Sequence, residues 1–186
     1  MSKAESRYET IPSRFGELTL VWSPRQQGPI VTEILLPLKA AVGEKLAEGA
    51  RRHPGLDSLV DAIRRYLGGE DVPLPADLVD RSRCSPFQWS VLMAERTIPR
   101  GFVTSYRRLA AHVGRPQAYR AVGTALARNP FPLVIPCHRT VRGDGSLGGF
   151  GGGLPMKRAL LEMEGVGVDA LGRVRPEFFW DWPLDR

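Results

Sequence analysis

The stretch from residue 104 to residue 130, TSYRRLAAHVGRPQAYRAVGTALARNP, contains two short helical patterns separated by a tight turn. Thr104 or Ser105 can cap a first helix, and Gly114 would end it. Pro116 can open a second helix that runs to the end of the stretch. Two short helices joined in this way have the proportions of a helix-turn-helix. The stretch therefore predicts a helical unit of the kind that enters a groove of DNA.

The second of these helical patterns has two different faces. One face is apolar and consists of Ala118, Val122, Ala125 and Leu126. The other face is basic and small, and it consists of Arg120, Gly123, Thr124, Ala127 and Arg128. Small side chains let a helix approach a phosphate backbone closely, and an arginine in the first turn could reach between bases. An ordinary solvated face is the plainer alternative.

Upstream of this stretch, the chain predicts one more helix and a small α/β unit. Ser85-Pro86-Phe87-Gln88 has the pattern of a capping box with proline at the first helical position, so a helix should run to about Thr97. The apolar-rich runs Phe15–Trp22 and Ile30–Leu36 predict two paired strands. Apolar residues at helical spacing predict a helix over Leu56–Leu67, with Asp57 or Ser58 as its cap.

The domain division follows from these patterns. Residues 68–83 contain two prolines and several charges, which is typical of a linker. We therefore expect an N-terminal α/β domain over residues 1–80 and a mainly helical domain over 85–168. Residues 169–186 form a tail that is strongly aromatic from Phe178 onward, which either packs back onto a domain or meets a partner.

The net charge of +6 is unevenly distributed. Residues 1–84 carry 12 basic and 12 acidic side chains, whereas residues 85–168 carry 11 basic and 4 acidic ones. The excess therefore lies in the segment with the predicted helix-turn-helix, which favours a polyanion as partner. Since 22 of the 26 basic residues are arginine, an arginine-rich solvated surface is the alternative.

A reactive thiol follows this helical region, in Ile135-Pro136-Cys137-His138-Arg139. The apolar run Leu133–Ile135 lies between two prolines, so it predicts a short buried strand that delivers Cys137 to a fixed place. A free cysteine titrates near ~8.5, so a neighbouring base is needed to generate the thiolate near neutrality, and His138 can supply it. Glu164 could hold the other imidazole nitrogen, or it could merely end a helix.

The chain has only two cysteines, Cys84 and Cys137, and three histidines that lie far apart in the sequence. This composition offers neither a disulfide framework nor the spacing of a metal site, so we expect no metal and no cofactor. A reduced, cytoplasmic protein fits best. We find no export signal and no run of membrane-spanning length, and therefore expect no membrane partner.

Eight short motifs then identify a family. They are Phe87-Gln88, Ile98-Pro99-x-Gly101, Ser105-Tyr106, Leu109-Ala110, Arg120-Ala121-Val122-Gly123, Asn129-Pro130, Pro136-Cys137-His138-Arg139 and Leu160-Leu161-x-x-Glu164-Gly165. In order and spacing the series resembles the O6-alkylguanine-DNA alkyltransferase family, densely over residues 85–166 and in outline before them. A series with consistent spacing is far more specific than any one tetrapeptide.

The resemblance implies both a fold and a reaction. The fold is α/β (α+β), with a small ribonuclease H-like N-terminal domain before a winged-helix-like domain that holds the helix-turn-helix. The reaction is DNA repair by single-turnover transfer of an alkyl group from guanine O6, with O4-alkylthymine left open, to Cys137. His138 and Glu164 match the family's relay, and we expect a water between the sulfur and the imidazole. The protein should act as a monomer at the nucleoid, with cooperative DNA binding left open.

The resemblance also implies contacts with DNA. The family binds the minor groove of duplex DNA with little sequence preference, flips the target nucleotide, and fills the gap with Arg120 while Tyr106 lies beside the flipped base. Asn129 ties the recognition helix to the active-site loop. The remaining substrate and DNA contacts are expected from Gly123, Thr124, Ala127, Arg128, Arg139, Phe150, Gly151 and Lys157.

Two departures from the family pattern are Thr140 in place of valine and Phe150 in place of tyrosine, and both could alter the pocket. Lys157 either lies near that pocket or is an ordinary surface lysine. Residues 143–148 match G-x-G-x-x-G, but they do not open a βαβ unit, so we reject a dinucleotide site.

Two other functions stay open: a damage-binding protein that does not react, and a cysteine hydrolase.

Overall fold

The computed structural model describes residues 6–40 and 52–182, and the chain divides into two compact units. The first unit contains Met1–Arg83 and Pro130–Val134, and the second contains Cys84–Asn129 and Ile135–Arg186. The linear division predicted from the sequence did not place Pro130–Val134 in the first unit. There, the backbone N–H of Ile34 donates to the carbonyl of Pro130 at 2.8 Å.

The first unit is built on an antiparallel sheet of strands β1 (Arg7–Ser13), β2 (Gly16–Arg25) and β3 (Gly28–Leu35), in that order. The two strands that the sequence predicted correspond to β2 and β3. Strand β1 was missed because its buried side chains, Tyr8 and Ile11, are three residues apart and give no alternating pattern.

Helices α1 (Pro37–Ala40) and α2 (Asp57–Leu67) complete the described part of the first unit. The predicted caps of α2, Asp57 and Ser58, were wrong, because the helix begins directly from a 3₁₀ turn over Pro54–Leu56. That turn is capped instead by His53, whose Nδ1 accepts the N–H of Gly55 at 3.0 Å. A one-turn 3₁₀ extension of this kind supplies partners for the first amides of a helix.

Helices dominate the second unit. Helix α3 (Pro86–Arg96) is capped as predicted by Ser85, whose hydroxyl accepts the N–H of Gln88 at 3.2 Å. The side-chain amide of Gln88 donates to the carbonyls of Ala125 and Arg128, at the end of the helix that carries the basic face. Ser85 thus caps the backbone of Gln88, while the Gln88 side chain anchors a neighbouring helix.

The helix-turn-helix consists of α4 (Tyr106–His112) and α5 (Tyr119–Ala127). Ser105 caps α4 by accepting the N–H of Arg108 at 3.2 Å, so one of the two predicted caps is confirmed. Helix α5 begins three residues later than predicted, since Pro116 lies in the turn between the helices and not at the first helical position.

The core of the second unit lies beside a short parallel pair, β4 (Thr104–Ser105) and β5 (Thr140–Val141). Helix α6 (Gly153–Met163) packs on the same core, which contains the buried residues Val103, Val141, Leu147, Leu161, Val166 and Val174. This arrangement brings the start of α4, the residues after Cys137 and the end of α6 together.

The aromatic tail packs back onto the second unit. The N–H of Val103 donates to the carbonyl of Phe178 at 2.8 Å, and the N–H of Trp180 donates to the carbonyl of Val103 at 2.7 Å. Trp182 stacks on His112 of α4 with ring centroids 4.1 Å apart. The tail therefore extends the short sheet and braces the first helix of the helix-turn-helix. The mixed α/β class predicted from the sequence is confirmed, and among the described residues there is no helix long and apolar enough to span a membrane.

Candidate active site

Cys137 lies on a one-turn 3₁₀ helix, Cys137–Arg139, that leads directly into β5. The strand predicted over Leu133–Ile135 was wrong, because Leu133 has φ +73° and the segment forms turns. A left-handed residue between two prolines cannot continue an extended strand. The turn is held in place by Asn129, whose Nδ2 donates to the carbonyl of Ile135 at 3.0 Å.

The imidazole next to Cys137 is paired with a carboxylate. Nε2 of His138 lies 3.0 Å from Oε1 of Glu164, and both side chains are completely buried. Glu164 is the C-terminal cap of α6, so the residue both ends that helix and holds the imidazole. An ionised carboxylate can only accept hydrogen bonds, so Nε2 carries the proton in this pair and Nδ1 keeps its lone pair.

Arg139 also binds the carboxylate of Glu164. Its Nε donates to Oε2 of Glu164 and its Nη2 to Oε1, both at 2.8 Å, and its Nη1 donates to the carbonyl of Ile98 at 2.7 Å. We had expected Arg139 to contact DNA or substrate. Its contacts instead give it a role inside the cluster, since its guanidinium forms a bidentate pair with the carboxylate that holds His138.

The two buried groups of the relay have shifted pKa values. Burial by itself would raise the pKa of Glu164, but the charges and hydrogen bonds of His138 and Arg139 outweigh it and hold that pKa far below its usual range. Burial lowers the pKa of His138, and the charges of Arg139 and Lys157 lower it further against the opposing effect of Glu164. The imidazole is therefore neutral near pH 7 and can act as a base.

The nucleophile is a largely buried thiol, and its surroundings shift its pKa. Burial raises the pKa of Cys137 to about 11, although part of the residue reaches the surface, and the charge of Glu95 adds to the shift. A hydrogen bond from the Asn129 side chain and the charge of Lys157 oppose it. A thiol with a raised pKa needs a base to accept its proton, which is the role we expect for His138.

Tyr106 lies between the recognition helix and the glycine-rich loop. Its ring is beside Gly123 of α5, and its hydroxyl lies against Gly148. Gly148 has φ +66°, and a Cβ there would come within 3.0 Å of the Tyr106 hydroxyl. The loop can therefore pass this close to Tyr106 only with glycine at position 148. In the same loop, Phe150 makes an edge-to-face contact with His138, with centroids 6.2 Å apart.

Helix α5 presents the face that the sequence identified. The basic and small face is accessible, with Gly123 partly covered, and the apolar residues Val122, Ala125 and Leu126 are buried. The guanidinium groups of Arg107 and Arg120 each lie 5.8 Å from the ring centroid of Tyr119. Among the described residues of the second unit, this face of α5 is therefore accessible to a ligand.

Lys157 is completely buried, and its ammonium group donates to the carbonyl of Thr140 at 2.6 Å. Sequence reasoning had left a surface position open for it. Sequence reasoning also missed Glu95, a buried residue of α3 that contacts Thr140. Glu95 lies four residues after Val91 and three after Leu92, both buried, so its helical position could have indicated that it faces the core.

Known proteins resemble this chain along most of its length. The family model described as "6-O-methylguanine DNA methyltransferase, DNA binding domain" matches residues 86–166. The methylated-DNA–protein-cysteine methyltransferase of Methanothermobacter thermautotrophicus is 40% identical over 131 residues, which is 67% of this chain and 73% of that protein. The protein of the same name from Mycobacterium tuberculosis is 38% identical over 162 residues, or 84% and 91% of the two chains.

Solved structures agree with these sequence matches. The Mycobacterium tuberculosis O6-methylguanine methyltransferase superposes with a TM-score of 0.70 at 36% identity, over 86% of this chain and 93% of that one. The O6-methylguanine-DNA methyltransferase of Pyrococcus kodakaraensis superposes with a TM-score of 0.65 at 26% identity, over 87% and 100%. The family predicted from the motif series is confirmed: this chain belongs to the methylated-DNA–protein-cysteine methyltransferases, a family of DNA-repair enzymes.

Proposed function

We propose that this protein repairs O6-alkylguanine in duplex DNA by one irreversible transfer of the alkyl group to the sulfur of Cys137. The proposal is carried by one observation, the buried pair in which Nε2 of His138 meets Glu164 beside Cys137. Because this pair leaves Nδ1 of the neutral imidazole unprotonated, it supplies the base that a thiol nucleophile needs. Relatives named methylated-DNA–protein-cysteine methyltransferases support the same reaction class.

In the transfer, the sulfur forms a bond to the alkyl carbon, and the bond from that carbon to guanine O6 breaks with its electron pair left on guanine. The thiol proton passes through a bridging water to Nδ1 of His138, and a proton returns to the guanine, so atoms and charge balance. Glu164 and Arg139 orient the imidazole, and Glu164 stabilises its transient positive charge. The thioether has no good leaving group, so each molecule reacts once.

The accessible face of α5 supports binding in the minor groove of duplex DNA. A solved DNA complex of the Mycobacterium tuberculosis protein, with a TM-score of 0.70 at 37% identity over 86% of this chain and 93% of that one, agrees with a DNA partner. Arg120 fills the space left by the flipped nucleotide, and Tyr106 lies beside the flipped base. Phe150 and Gly151 line the alkyl pocket. Binding through phosphates makes affinity salt-sensitive and nearly independent of sequence.

The remaining parts of the proposal concern the whole chain. The protein acts as a monomer at the nucleoid in the cytoplasm and needs no cofactor for the transfer. The chain consists of an N-terminal domain over residues 1–80, a reactive domain over 85–168 and a tail over 169–186. Cooperative binding along DNA is compatible with this proposal.

The test is intact-protein mass spectrometry after the full chain is mixed with a duplex that contains O6-methylguanine. We expect a gain of one methyl group per chain, located by peptide mapping on Cys137. Cys137→Ser should lose the gain and still bind the duplex, and the matched control Cys84→Ser should keep it. A Cys137→Ser chain that still gains the methyl group refutes the assignment.

The same experiment separates the alternative functions. A damage-binding protein that does not react would hold the duplex and gain no mass. A cysteine hydrolase would process a small acyl substrate repeatedly without DNA. Arg120→Ala should weaken flipping of the target nucleotide. Relative to the parent chain, its single-turnover transfer should therefore slow more with a paired lesion than with a mispaired one.

A further inference from the structure

A tight turn over residues 142–146 follows β5 directly and presents Arg142, a residue outside the eight motifs. The N–H of Arg142 donates to the carbonyl of Ser146 at 2.8 Å, and the N–H of Gly145 donates to the carbonyl of Arg142 at 3.0 Å. Gly145 has φ +82°, and its carbonyl accepts the N–H of Val174 at 2.9 Å. The backbone of this turn is thus fixed by hydrogen bonds, so the Arg142 side chain starts from a defined place.

The guanidinium of Arg142 has no partner within the protein. The residue is exposed, and it forms neither an ion pair nor a side-chain hydrogen bond with any residue that the structure describes. The carboxylate of Asp144, two residues away, accepts the N–H and the hydroxyl of Ser146. By contrast, Arg158 on α6 pairs with Glu162 at 2.8 Å. A permanently charged guanidinium on a fixed backbone is therefore available to an external anion.

Arg142 lies beside Tyr106, the residue expected next to the flipped base. A Cβ built on Gly148 would lie 3.0 Å from the Tyr106 hydroxyl and 3.7 Å from Cγ of Arg142, so both side chains approach the same point of the glycine-rich loop. Burial raises the pKa of Tyr106, and the charge of Arg142 opposes this shift. The Arg142 side chain thus begins next to Tyr106, at the edge of the loop that carries Phe150.

We propose that Arg142 binds a phosphate group adjacent to the flipped nucleotide and thereby holds the DNA backbone at the entrance of the alkyl pocket. This inference rests on the proposed function, in which Tyr106 lies beside the flipped base. A nucleotide that rotates out of the stack about its backbone brings its flanking phosphates close to the protein. The guanidinium fork matches two phosphate oxygens, and such a contact fixes the position of the DNA without reading its sequence.

The first test measures the Kd of a fluorescent duplex that contains one O6-methylguanine, by anisotropy, in chains that also carry Cys137→Ser to prevent transfer. Arg142→Gln should weaken binding about tenfold, because a hydrogen-bonded charge contact is lost. Between about 50 and 200 mM salt, the slope of log Kd against log salt should fall by about 0.9, the value for one phosphate. Arg142→Lys keeps the charge and should restore the slope and part of the affinity.

The matched control is Arg158→Gln, which removes the same charge from the exposed side of α6 and should change the Kd by less than about twofold. An Arg142→Gln chain that binds as tightly as the parent chain overturns the proposal. A lysine variant that keeps the lowered salt slope of the glutamine variant overturns it as well, because the charge would then not be the cause.

The second test locates the phosphate. Two further duplexes each carry one uncharged methylphosphonate, on the 5′ or on the 3′ side of the O6-methylguanine. On one of them the parent chain should bind more weakly, and Arg142→Gln should cause no additional loss. A full loss from Arg142→Gln on both duplexes would place the contact elsewhere and refute the proposal. These binding measurements need no transfer, so they are independent of the proposed function, which fails if Cys137 of the parent chain gains no methyl group from the duplex.

Discussion

Replacing Glu164 by glutamine should destabilise the protein strongly, because this carboxylate compensates a buried positive charge. Arg139, whose side chain is 12% exposed, makes two hydrogen bonds to it, and His138 makes a third. Loss of one partner of a buried ion pair costs about 3–5 kcal/mol. Glutamine can still accept one of the hydrogen bonds, so we expect the free energy of unfolding to fall by about 3 kcal/mol, the lower end of that range.

The assay is urea denaturation of the full chain at pH 7, in which the midpoint should fall by roughly 1–1.5 M at an unchanged slope. The matched control is Glu162→Gln, which breaks an exposed pair with Arg158 at 2.8 Å and should cost less than about 0.5 kcal/mol. Alkyl transfer by Glu164→Gln should also slow by about 10²-fold, because the imidazole loses the anion that stabilises its charged form. If Glu164→Gln costs no more than Glu162→Gln, the buried ion pair does not exist as described.

Gly148→Ala should cost about 1–3 kcal/mol in thermal or urea unfolding, since φ is +66° and the new methyl group meets a tyrosine hydroxyl, whereas Gly143→Ala points into open space and should be neutral. Asn129→Ala should cost about 1 kcal/mol and slow the transfer, because the carbonyl of Ile135 loses the Asn129 donor and keeps only the N–H of Cys137; a rate equal to that of the parent chain would contradict this. The free energy of unfolding should fall as the pH drops below about 6.5, because the unfolded chain protonates His138 there while the folded protein, in which its pKa is lowered, does not. His138→Gln should flatten this pH dependence between pH 5 and 7, and an unchanged curve would show that another group causes it.

The features that sequence reasoning predicted are those fixed by local chemistry. Ser85 and Ser105 cap their helices because a serine hydroxyl needs only a nearby amide to accept from. The strand predicted over Leu133–Ile135 was wrong because burial does not fix the backbone conformation. These residues are buried, but a short apolar run does not distinguish a strand from a turn.

The pairing of His138 with Glu164 could be predicted because a motif series specified it, whereas the contacts of Glu95 could not. Glu95 belongs to no motif, and an acidic residue in a helix is ordinarily exposed. Only tertiary packing shows that Glu95 accepts a hydrogen bond from the Thr140 hydroxyl and that the Thr140 carbonyl accepts one from Lys157. The departure at Thr140 was visible in the sequence, but its partner across the core was not.

The raised pKa of Cys137 fits a protein that acts once. Because burial raises the pKa of Cys137, an accidental electrophile finds less of the reactive thiolate there than at an exposed cysteine. A catalyst that turns over could tolerate occasional false reactions, but here each false reaction removes one molecule for good. Activation must therefore depend on the substrate, and a neutral imidazole held by Glu164 allows this, because it takes the proton only as the alkyl group moves. The site is thus better understood as a guarded thiol than as a preformed thiolate, and an alkylation profile of the free protein with a midpoint near pH 7 would contradict that view.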